Sequence, residues 1–412
     1  MGRLSGVFSE ASQGHQTSCS GPGWNGRSGE AMAGNLVDEA HATAWAMSAV
    51  VTLLAMVALQ PLAHRAGWLD HPRGRKDHGI ATPVCGGLGI FAGIAVSTGF
   101  LLRKQPIPTA YLIGSGLLLA VGLLDDLYDL RWWYRVVAQI VAGLVMVYLG
   151  HGGPRVEHIP GFLTGQSVAL GVYSAPFTVF ATVGLINAIN MCDGIDGLAG
   201  SQSLIALSAV VVLGWDAGNE TLASRALIVI SAITVFMFFN MRFPWQLRAR
   251  LFLGNGGSAL LGYTLAWFLY RLTQNPEYPV NPVIAPWLIA IPLIDCLALM
   301  VRRVSKGHSP FRADRNHLHH LLLDAGFAAD RVTLLLLAAS MGIALLAILA
   351  LAAHAPALVM VWVFVAMTLA YSAFSMRREW AVAVFAQLRR RWHARSGIST
   401  APAERSSGGE ER

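Results

Sequence analysis

The sequence predicts an all-α, polytopic membrane protein, and two features of its composition carry that prediction. Of its 412 residues, 54% are hydrophobic and 13% are charged, whereas soluble domains average about 25% charged residues. The mean hydropathy is +0.51. A chain with so few charged residues lacks the polar surface that a soluble domain of this length needs, so its apolar segments are expected to lie in a bilayer.

Apolar runs that approach the roughly 20 residues needed for a membrane-spanning helix recur along the chain. We predict about eleven transmembrane helices, near residues 43–63, 84–102, 108–124, 136–150, 168–186, 200–215, 225–240, 257–271, 282–300, 332–352 and 356–375. Residues 1–42 are predicted to be a disordered tail rather than a signal peptide, with Met32 as an alternative start. Residues 43–376 then form the membrane domain, and residues 377–412 form a basic tail.

The distribution of Lys and Arg predicts the orientation. About 23 of the 30 Lys and Arg residues lie in one set of connections and in the C-terminal tail, and about seven lie on the other side. The positive-inside rule places the richer side in the cytoplasm, with the N-terminus outside and the C-terminus inside. The same rule explains the net charge of +7 without a nucleic-acid partner. Since the four cysteines form no CxxC pair, we predict no disulfide framework, and Cys85 and Cys296 are interpreted as small core residues.

Three carboxylates lie where the third predicted helix ends. Asp125 and Asp129 are four residues apart and would share a helix face, while Asp126 points about 100° away. Acidic residues at the end of an apolar helix favour a functional interpretation, and a hard cation such as Mg²⁺ would relieve their repulsion. The alternative is that these carboxylates form ion pairs with Arg131 and Arg135.

The connection after the fifth predicted helix carries Asn187, Asn190, Asp193 and Asp196 but no Lys or Arg. Each Asp is followed by Gly, which lets the backbone turn freely, and the Asn side chains add amide donors and acceptors. This segment therefore carries no orientation signal. It is better explained as a site for an ion or a polar substrate than as a pair of Asx-turns.

A basic segment follows the first predicted helix. Residues 70–78 include Lys76 and His78, and Gly86-Gly87 stands where the second helix is predicted to begin. Glycines at a helix start allow backbone N–H groups to approach an anion, so a phosphate site is one interpretation. A connection that only sets membrane orientation is the other, although it leaves the two glycines unexplained.

Two further segments suggest phosphate binding. Residues 252–258 place Asn255 among glycines before the eighth predicted helix, as in an N-cap with an anion cradle. In the longest cytoplasmic connection, Arg315 is followed by three histidines, His317, His319 and His320. Imidazoles can hold phosphate or metal, but a zinc site needs a third or fourth soft ligand. We therefore favour a diphosphate site over a solvated histidine-rich loop.

These five segments together, from Asp70 to Phe327, resemble the polyprenyl-phosphate N-acetylhexosamine-1-phosphate transferase family. Asp129 stands where the MraY-type branch usually has Lys, and the pattern His317-Leu318-His319-His320 replaces three consecutive histidines. Both features are similar to the WecA-type branch. One position departs from the family, because Asn255 stands where the fourth motif usually has an Asp that binds metal.

The resemblance implies a multi-pass enzyme of the bacterial inner membrane whose site faces the cytoplasm. The implied reaction transfers GlcNAc-1-phosphate from UDP-GlcNAc to undecaprenyl phosphate, releases UMP, and initiates a lipid-linked envelope glycan such as O-antigen. The implied cofactor is Mg²⁺, with Mn²⁺ as a substitute. The implied partners are the two substrates, the bilayer and a second copy of the chain in a homodimer, with no nucleic acid.

The resemblance also assigns roles by position. Catalytic roles fall on Asp125, Asp126, Asp193 and Asp196. These four, together with Asn255, are the implied metal ligands. Substrate binding falls on Lys76, His78, Asn187, Asn190, Asn255, Arg315, His317, His319 and His320.

Three other functions compete with this interpretation. A sister transferase would use another UDP-amino sugar, and a scaffold would keep the fold without catalysis. A transporter would place ionisable residues near the bilayer midplane, whereas here only Asp295 departs from the helix ends. Within the transferase interpretation, direct attack by the lipid phosphate competes with a covalent aspartyl intermediate, which ping-pong kinetics would indicate.

Overall fold

The computed structural model describes residues 26–70, 81–101, 109–149, 153–307 and 316–396. The chain divides into two units, residues 1–42 and residues 43–412. In the first unit the described backbone is helical from Gly26 onwards. The second unit contains the helical bundle and the sites discussed below.

The described residues are mostly helical, which confirms the all-α prediction. The helices are α1 (Gly26–Ala66), α2 (Gly86–Leu101), α3 (Thr109–Tyr128), α4 (Trp132–Tyr148), α5 (Ser174–Cys192), α6 (Leu198–Asp216), α7 (Glu220–Asn240), α8 (Gly254–Thr273), α9 (Ile284–Leu288), α10 (Ala290–Ser305), α11 (Leu318–Asp324), α12 (Ala329–Ala352), α13 (Ala357–Met376) and α14 (Arg378–Ser396). Two short antiparallel hairpins join them, β1 (Leu69–Asp70) with β2 (Thr82–Pro83) and β3 (His158–Pro160) with β4 (Ser167–Ala169). A 3-10 turn at Gly171–Tyr173 precedes α5.

Several of these helices are suited to a bilayer, so the chain is a multi-pass membrane protein. Within the described ranges, seven segments are long and apolar enough to cross a membrane: His41–Ala66, Thr109–Tyr128, Gly171–Cys192, Leu198–Asp216, Glu220–Asn240, Ala329–Ala352 and Ala357–Met376. Two shorter apolar helices cover Gly86–Gly99 and Trp132–Tyr148. The total of eleven spans and the orientation of the termini stay predictions.

Helix boundaries differ from the prediction where polar residues continue an apolar helix. The predicted span 168–186 is shifted, because its first residues belong to the β3–β4 hairpin and α5 continues to Cys192. Asn187 and Asn190 therefore lie on a helix rather than in a loop. Helix α3 likewise extends to Tyr128 and includes both Asp125 and Asp126.

The predicted span 282–300 is divided into two helices. Helix α9 ends at Leu288 and α10 begins at Ala290, with Ile289 at φ −124° and ψ 28° between them. The proline at position 292 explains the break, because its ring would clash with the carbonyl group of Leu288 in a continuous helix and it has no N–H to donate. Asp295 consequently lies in the second turn of α10.

Parts of both predicted tails are helical. Residues 26–42 form the first part of α1. Residues 378–396 form α14, which packs against α11. Arg378 makes an ion pair with Asp324, and Arg389 donates to the carbonyl oxygen of Gly326. These contacts order a segment that its basic composition alone predicts to be a solvated tail.

Helix α8 lies at the centre of the bundle and packs against α2, α3, α5 and α6. Glycines make the closest approaches. A Cβ atom on Gly122 of α3 would lie 2.1 Å from the Cα atom of Gly256, and one on Gly87 of α2 would lie 2.4 Å from that of Gly257. The N–H groups of Gly86 and Gly87 donate to carbonyl oxygens of the segment before α8. Gly86-Gly87 thus serves helix packing, and the anion-cradle interpretation of these two glycines is wrong.

Replacing Gly122 with Ala tests this packing. Because the added methyl group has no space beside Gly256, α3 and α8 must separate, and we expect a loss of roughly 1–3 kcal/mol in the free energy of unfolding. The lower stability should be measurable as a lower Tm of the detergent-solubilised protein. Gly184→Ala on α5 is the matched control, since a Cβ atom there meets nothing within 4 Å and Ala favours a helix. Equal Tm values in the two variants would contradict the close approach.

Candidate active site

Two adjacent carboxylates from α3 meet the first residues of α8. The backbone N–H of Asn255 donates to Asp126 Oδ2 at 3.0 Å, and its Nδ2 donates to Asp125 Oδ2 at 2.8 Å. Asp126 therefore satisfies a backbone donor at the positive end of the α8 dipole. Gly254, at φ +77°, turns the chain into this helix. The predicted phosphate cradle at this helix start is thus occupied by a carboxylate of the protein itself.

Polar residues of α4, α5 and α8 surround this junction. Arg135 of α4 lies 3.3 Å from the buried Asp125 carboxylate, which confirms the pairing considered for that cation. Asn190 of α5 donates to Ser258 Oγ at 2.7 Å and to Asn255 Oδ1 at 3.4 Å. Three helices are consequently joined through the side chain of Asn255. A carboxylate at position 255 could make the contact with Asp125 only when one of the two is protonated.

A cavity of about 280 Å³ opens beside the junction, between α3, α4, α5, α8 and the end of α10. Its polar lining consists of Arg135, Gln139, Asn187, Asn190, Asn255, Arg303 and His317. Asn187 Nδ2 donates to Gln139 Oε1 at 2.7 Å, which holds both amides in place. Apolar side chains, among them Leu118 and Trp132, complete the wall. Cationic and amide donors beside apolar surface suit an amphipathic molecule that carries an anionic group.

A buried carboxylate orients the histidine of this cavity. Asp295 is 4% exposed and accepts hydrogen bonds from His317 Nδ1 at 2.9 Å, Tyr371 Oη at 2.7 Å and the backbone N–H of Leu318 at 2.9 Å. Because Nδ1–H is donated to Asp295, the other ring nitrogen of His317 is the one available to the cavity. From the sequence, Asp295 is an exception to the pattern of helix ends, interpreted as either a structural hydrogen-bonding residue or part of the site.

His319 lies against the turn that follows α5. It is 2% exposed, and its Nε2 atom has no hydrogen-bond partner. A Cβ atom on Gly194 would lie 2.3 Å from that nitrogen, so the glycine after Asp193 admits the ring. Burial, with smaller effects from His320 and His317, lowers the pKa of His319 to about 3. The ring is therefore neutral at pH 7 and leaves one buried polar atom that a ligand could satisfy.

The two aspartates after α5 have different surroundings. Asp193 is half-buried at the end of α5, in the turn that His319 covers. Asp196 Oδ2 accepts from Arg242 Nε at 2.7 Å and from the backbone N–H of Ala249 at 3.4 Å. Asp196 therefore also ties the turn to the connection between α7 and α8. The catalytic and metal roles of both residues stay predictions.

The structure brings together six of the predicted site residues around one junction and its cavity, namely Asp125, Asp126, Asn187, Asn190, Asn255 and His317. His319 and His320 lie next to His317, with ring centroids 5.5 Å and 6.3 Å from it. Lys76, His78 and Arg315 lie outside the described residues. Asp129 follows the end of α3 in a left-handed conformation with φ +51°, and its backbone N–H donates to the carbonyl oxygen of Asp125 at 2.9 Å.

Sequence reasoning missed Arg303 and Gln139 as members of the site. Arg303 is 4% exposed and lines the cavity near His317, yet its position beside a second arginine made it resemble an orientation signal. Gln139 lies within the apolar face of α4. A polar residue in the interior of an apolar helix is itself a signal of function, and it could have been used here.

Oxygen donors suitable for a hard cation are present at the junction. The carboxylates of Asp125 and Asp126 both lie within hydrogen-bond distance of residue 255, and Mg²⁺ prefers carboxylate and amide oxygens. Across the described residues, however, no group of three or more His, Cys, Asp or Glu side chains is spaced to hold a metal. Asp125 and Asp126 thus offer carboxylate oxygens of the kind that Mg²⁺ prefers, and the Mg²⁺ assignment stays a prediction.

A bundle of apolar helices with cations, amides and carboxylates at one end defines a membrane enzyme that acts on an anionic substrate. Comparison with known proteins specifies the family. The profile of glycosyl transferase family 4 matches residues 108–273. An undecaprenyl-phosphate alpha-N-acetylglucosaminyl 1-phosphate transferase of Escherichia coli strain K12 is 35% identical over 336 residues, which cover 81% of this chain and 90% of that protein.

Proteins of the same name from Yersinia pestis and Haemophilus influenzae are 36% and 34% identical. These matches cover 79% and 69% of this chain, and 88% and 79% of those proteins. The chain belongs to glycosyl transferase family 4 and is a phosphoglycosyl transferase, which confirms the resemblance inferred from the five segments. The family profile ends at residue 273, before Asp295 and His317. The position of these two residues beside the cavity is therefore evidence from the structure rather than from the profile.

Replacing Asp295 with Asn tests the orientation of His317. An asparagine side chain can still accept the hydrogen bond from the backbone N–H of Leu318. Because it can also donate to His317, it no longer selects the tautomer that carries its proton on Nδ1. We therefore expect transferase activity to fall about 10- to 100-fold. The loss should appear mainly in kcat and should change the pH profile. Tyr371→Phe is the control, since it removes one of three hydrogen bonds and leaves the carboxylate; its loss should stay below about tenfold. Equal losses with unchanged pH profiles would mean that Asp295 only stabilises the fold.

Proposed function

We propose that this protein transfers GlcNAc-1-phosphate from UDP-GlcNAc to undecaprenyl phosphate, releasing UMP and forming a lipid-linked diphosphate sugar. The observation that carries the proposal is the cavity in which Arg135, Arg303 and His317 face amides from three helices beside apolar surface. Relatives named for this acceptor and this sugar, covered over 79–90% of their length, support the same substrates.

Electrostatic repulsion is the first obstacle to this reaction, because both substrates carry phosphate. Arg135 and Arg303 would offset that charge, and Arg guanidinium groups can bind phosphate through two parallel hydrogen bonds. Asn187, Asn190 and Gln139 supply further donors around the same space. A site that fixes both phosphates in line supplies most of what phosphoryl transfer requires.

We propose direct attack by an oxygen of the lipid phosphate on the β-phosphorus of the nucleotide sugar. A new P–O bond forms while the bond to the bridging oxygen of UMP breaks, so one diphosphate linkage replaces another and no ATP is needed. The lipid phosphate is mostly dianionic at pH 7, since its second pKa is about 6. Asp125 and Asp126 already accept hydrogen bonds from Arg135 and Asn255, which favours a positioning role over a covalent aspartyl intermediate.

Mg²⁺ belongs to the same proposal. Asp125 and Asp126 would hold the ion, with the amide oxygen of Asn255 as a neutral ligand and Asp193 and Asp196 as further candidates. When bound, Mg²⁺ would neutralise phosphate charge and favour the departure of UMP. Mn²⁺ is expected to substitute, because it prefers similar oxygen ligands.

The chemistry of the substrates locates the reaction. A nucleotide sugar is water-soluble and cytosolic, whereas a polyprenyl chain lies in the bilayer, so the proposed site must be at the cytoplasmic face of the inner membrane. The orientation predicted from Lys and Arg agrees with that placement. The product would initiate an envelope glycan such as O-antigen, and a homodimer is part of the prediction.

Radiolabel transfer from a panel of UDP-sugars to undecaprenyl phosphate tests the proposal. Purified protein with Mg²⁺ should label the lipid from UDP-GlcNAc, and UMP should appear in equal amount. Preference for another UDP-amino sugar would identify a sister transferase instead. Absence of transfer from every UDP-sugar, with folded protein and both substrates present, would contradict the proposal and favour the scaffold or transporter.

Replacing Asn255 with Asp tests the metal assignment. The new carboxylate would add a charge beside Asp125 and Asp126, so we expect a lower Tm in EDTA and about a tenfold lower Mg²⁺ concentration for half-maximal stabilisation. Asn255→Ala is the control, because it removes the ligand without adding charge and should weaken the Mg²⁺ response. If Asn255→Asp leaves the Mg²⁺ titration of Tm unchanged and abolishes activity, Asn255 has a role other than holding metal.

A further inference from the structure

A second cavity, of about 260 Å³, lies at the opposite end of the bundle. It is bounded by residues from the start of α7 and the end of α8, including Arg225 and Arg271. Arg271 is 16 residues along α8 from Asn255, which corresponds to about 24 Å. This cavity is therefore separate from the candidate active site.

The two arginines are not explained by membrane orientation. They belong to the minority of about seven Lys and Arg residues on the side predicted to be outside. Arg271 lies in the last turn of α8, where the helix dipole favours a cation. Arg225 lies in the second turn of α7, near the positive end of that helix dipole, which disfavours a cation. A ligand that favours positive charge at this place would account for Arg225.

The arginine side chains leave positive charge at this cavity. Both are half-buried, and the two guanidinium groups repel each other. The Nε atom of Arg225 is buried without a hydrogen-bond partner, and the Arg271 guanidinium stacks 5.8 Å from the ring centroid of Trp267. Glu277, which is exposed, also lines the cavity, so the lining carries two cations and one carboxylate. The titratable side chains Tyr111 and Tyr278 complete the set that faces the arginines.

The remaining lining combines polar and apolar groups. Asn219 and Asn275 supply amides, and aliphatic side chains of Ile94 and Val229 lie beside the aromatic residues. Two guanidinium groups can surround a tetrahedral oxyanion, and the charge-assisted hydrogen bonds would satisfy the Arg225 Nε atom. The apolar wall suits a hydrocarbon chain attached to that anion.

We propose that this second cavity binds a phosphate group, carried by a lipid headgroup or supplied as free phosphate, between Arg225 and Arg271. The site is independent of the transfer reaction, because it lies at the other end of α8. An occupied cavity would stabilise the junction between α7 and α8 by offsetting the repulsion between the arginines.

Ligand-dependent thermal stability of the full chain in neutral detergent tests this proposal. The probes are dioctanoyl phosphatidic acid, dioctanoyl phosphatidylcholine and inorganic phosphate, with unfolding followed by tryptophan fluorescence. We expect phosphatidic acid or inorganic phosphate to raise the Tm saturably, and the stronger of the two identifies the source. Arg225→Gln should weaken the apparent affinity about tenfold or more, the loss expected for a charge-assisted hydrogen bond.

Matched variants assign the response to this cavity. Arg155 is predicted to lie on the same side of the membrane but is outside the cavity, where it contacts Tyr148. The Arg155→Gln variant should therefore keep the full ligand-dependent rise in Tm. Arg135→Gln, in the first cavity, should keep it as well. Arg225→Lys retains the charge and should keep a measurable part of the response, even where Arg225→Gln yields too little folded protein. Equal stabilisation by phosphatidylcholine, or full affinity in both Arg225 variants, would overturn the proposal.

Discussion

The contact between the end of α3 and the start of α8 supports the rest of the active site. Gly122 and Gly256 have no side chains, so the two helices approach closely enough for Asp125 and Asp126 to reach Asn255. Without that approach, both carboxylates would lose their hydrogen bonds to Asn255, and burying a carboxylate with fewer partners is costly. The same crossing defines one side of the cavity that Arg135 and His317 line. Helix packing and chemistry are therefore inseparable at this point.

A second buried carboxylate organises the opposite wall of the cavity. Asp295 accepts three hydrogen bonds, and its partners come from α13 and from the segment at the start of α11. A carboxylate so fully paired can remain buried, because its donors replace the lost hydration. Tyr371 of α13 and the segment at the start of α11 therefore meet at Asp295, in the second turn of α10. The position of His317 thus depends on Asp295, 22 residues away in sequence, whose carboxylate also accepts a hydrogen bond from Tyr371 of α13.

The two ends of α8 combine charges differently. At its start, Asp125 and Asp126 lie beside Arg135 and the amide of Asn255. Such a mixture of carboxylates, cations and amides can balance the charge of a phosphate with or without a metal ion. At its end, two arginines face one carboxylate, so the balance favours an anion. The polyprenyl phosphate proposed for the first site and the phosphate group proposed for the second site are both anionic. Only the first site has carboxylates and a histidine beside its cations. A long buried helix can therefore separate two binding sites while holding both rigidly.

The sequence by itself determined the class of fold, the multi-pass character and most of the residues of the candidate active site, because apolar runs, helix-end carboxylates and glycine-rich segments are local patterns. Tertiary structure decided which of those residues meet. Asp125 and Asn255 are 130 residues apart and Asn190 and Ser258 are 68 apart, and no local pattern specifies such pairings. It also assigned Gly86-Gly87 to packing, paired Arg135 with Asp125, and placed Arg303 and Gln139 in the lining of the cavity. These outcomes depend on close approach and burial, which arise only when helices pack together.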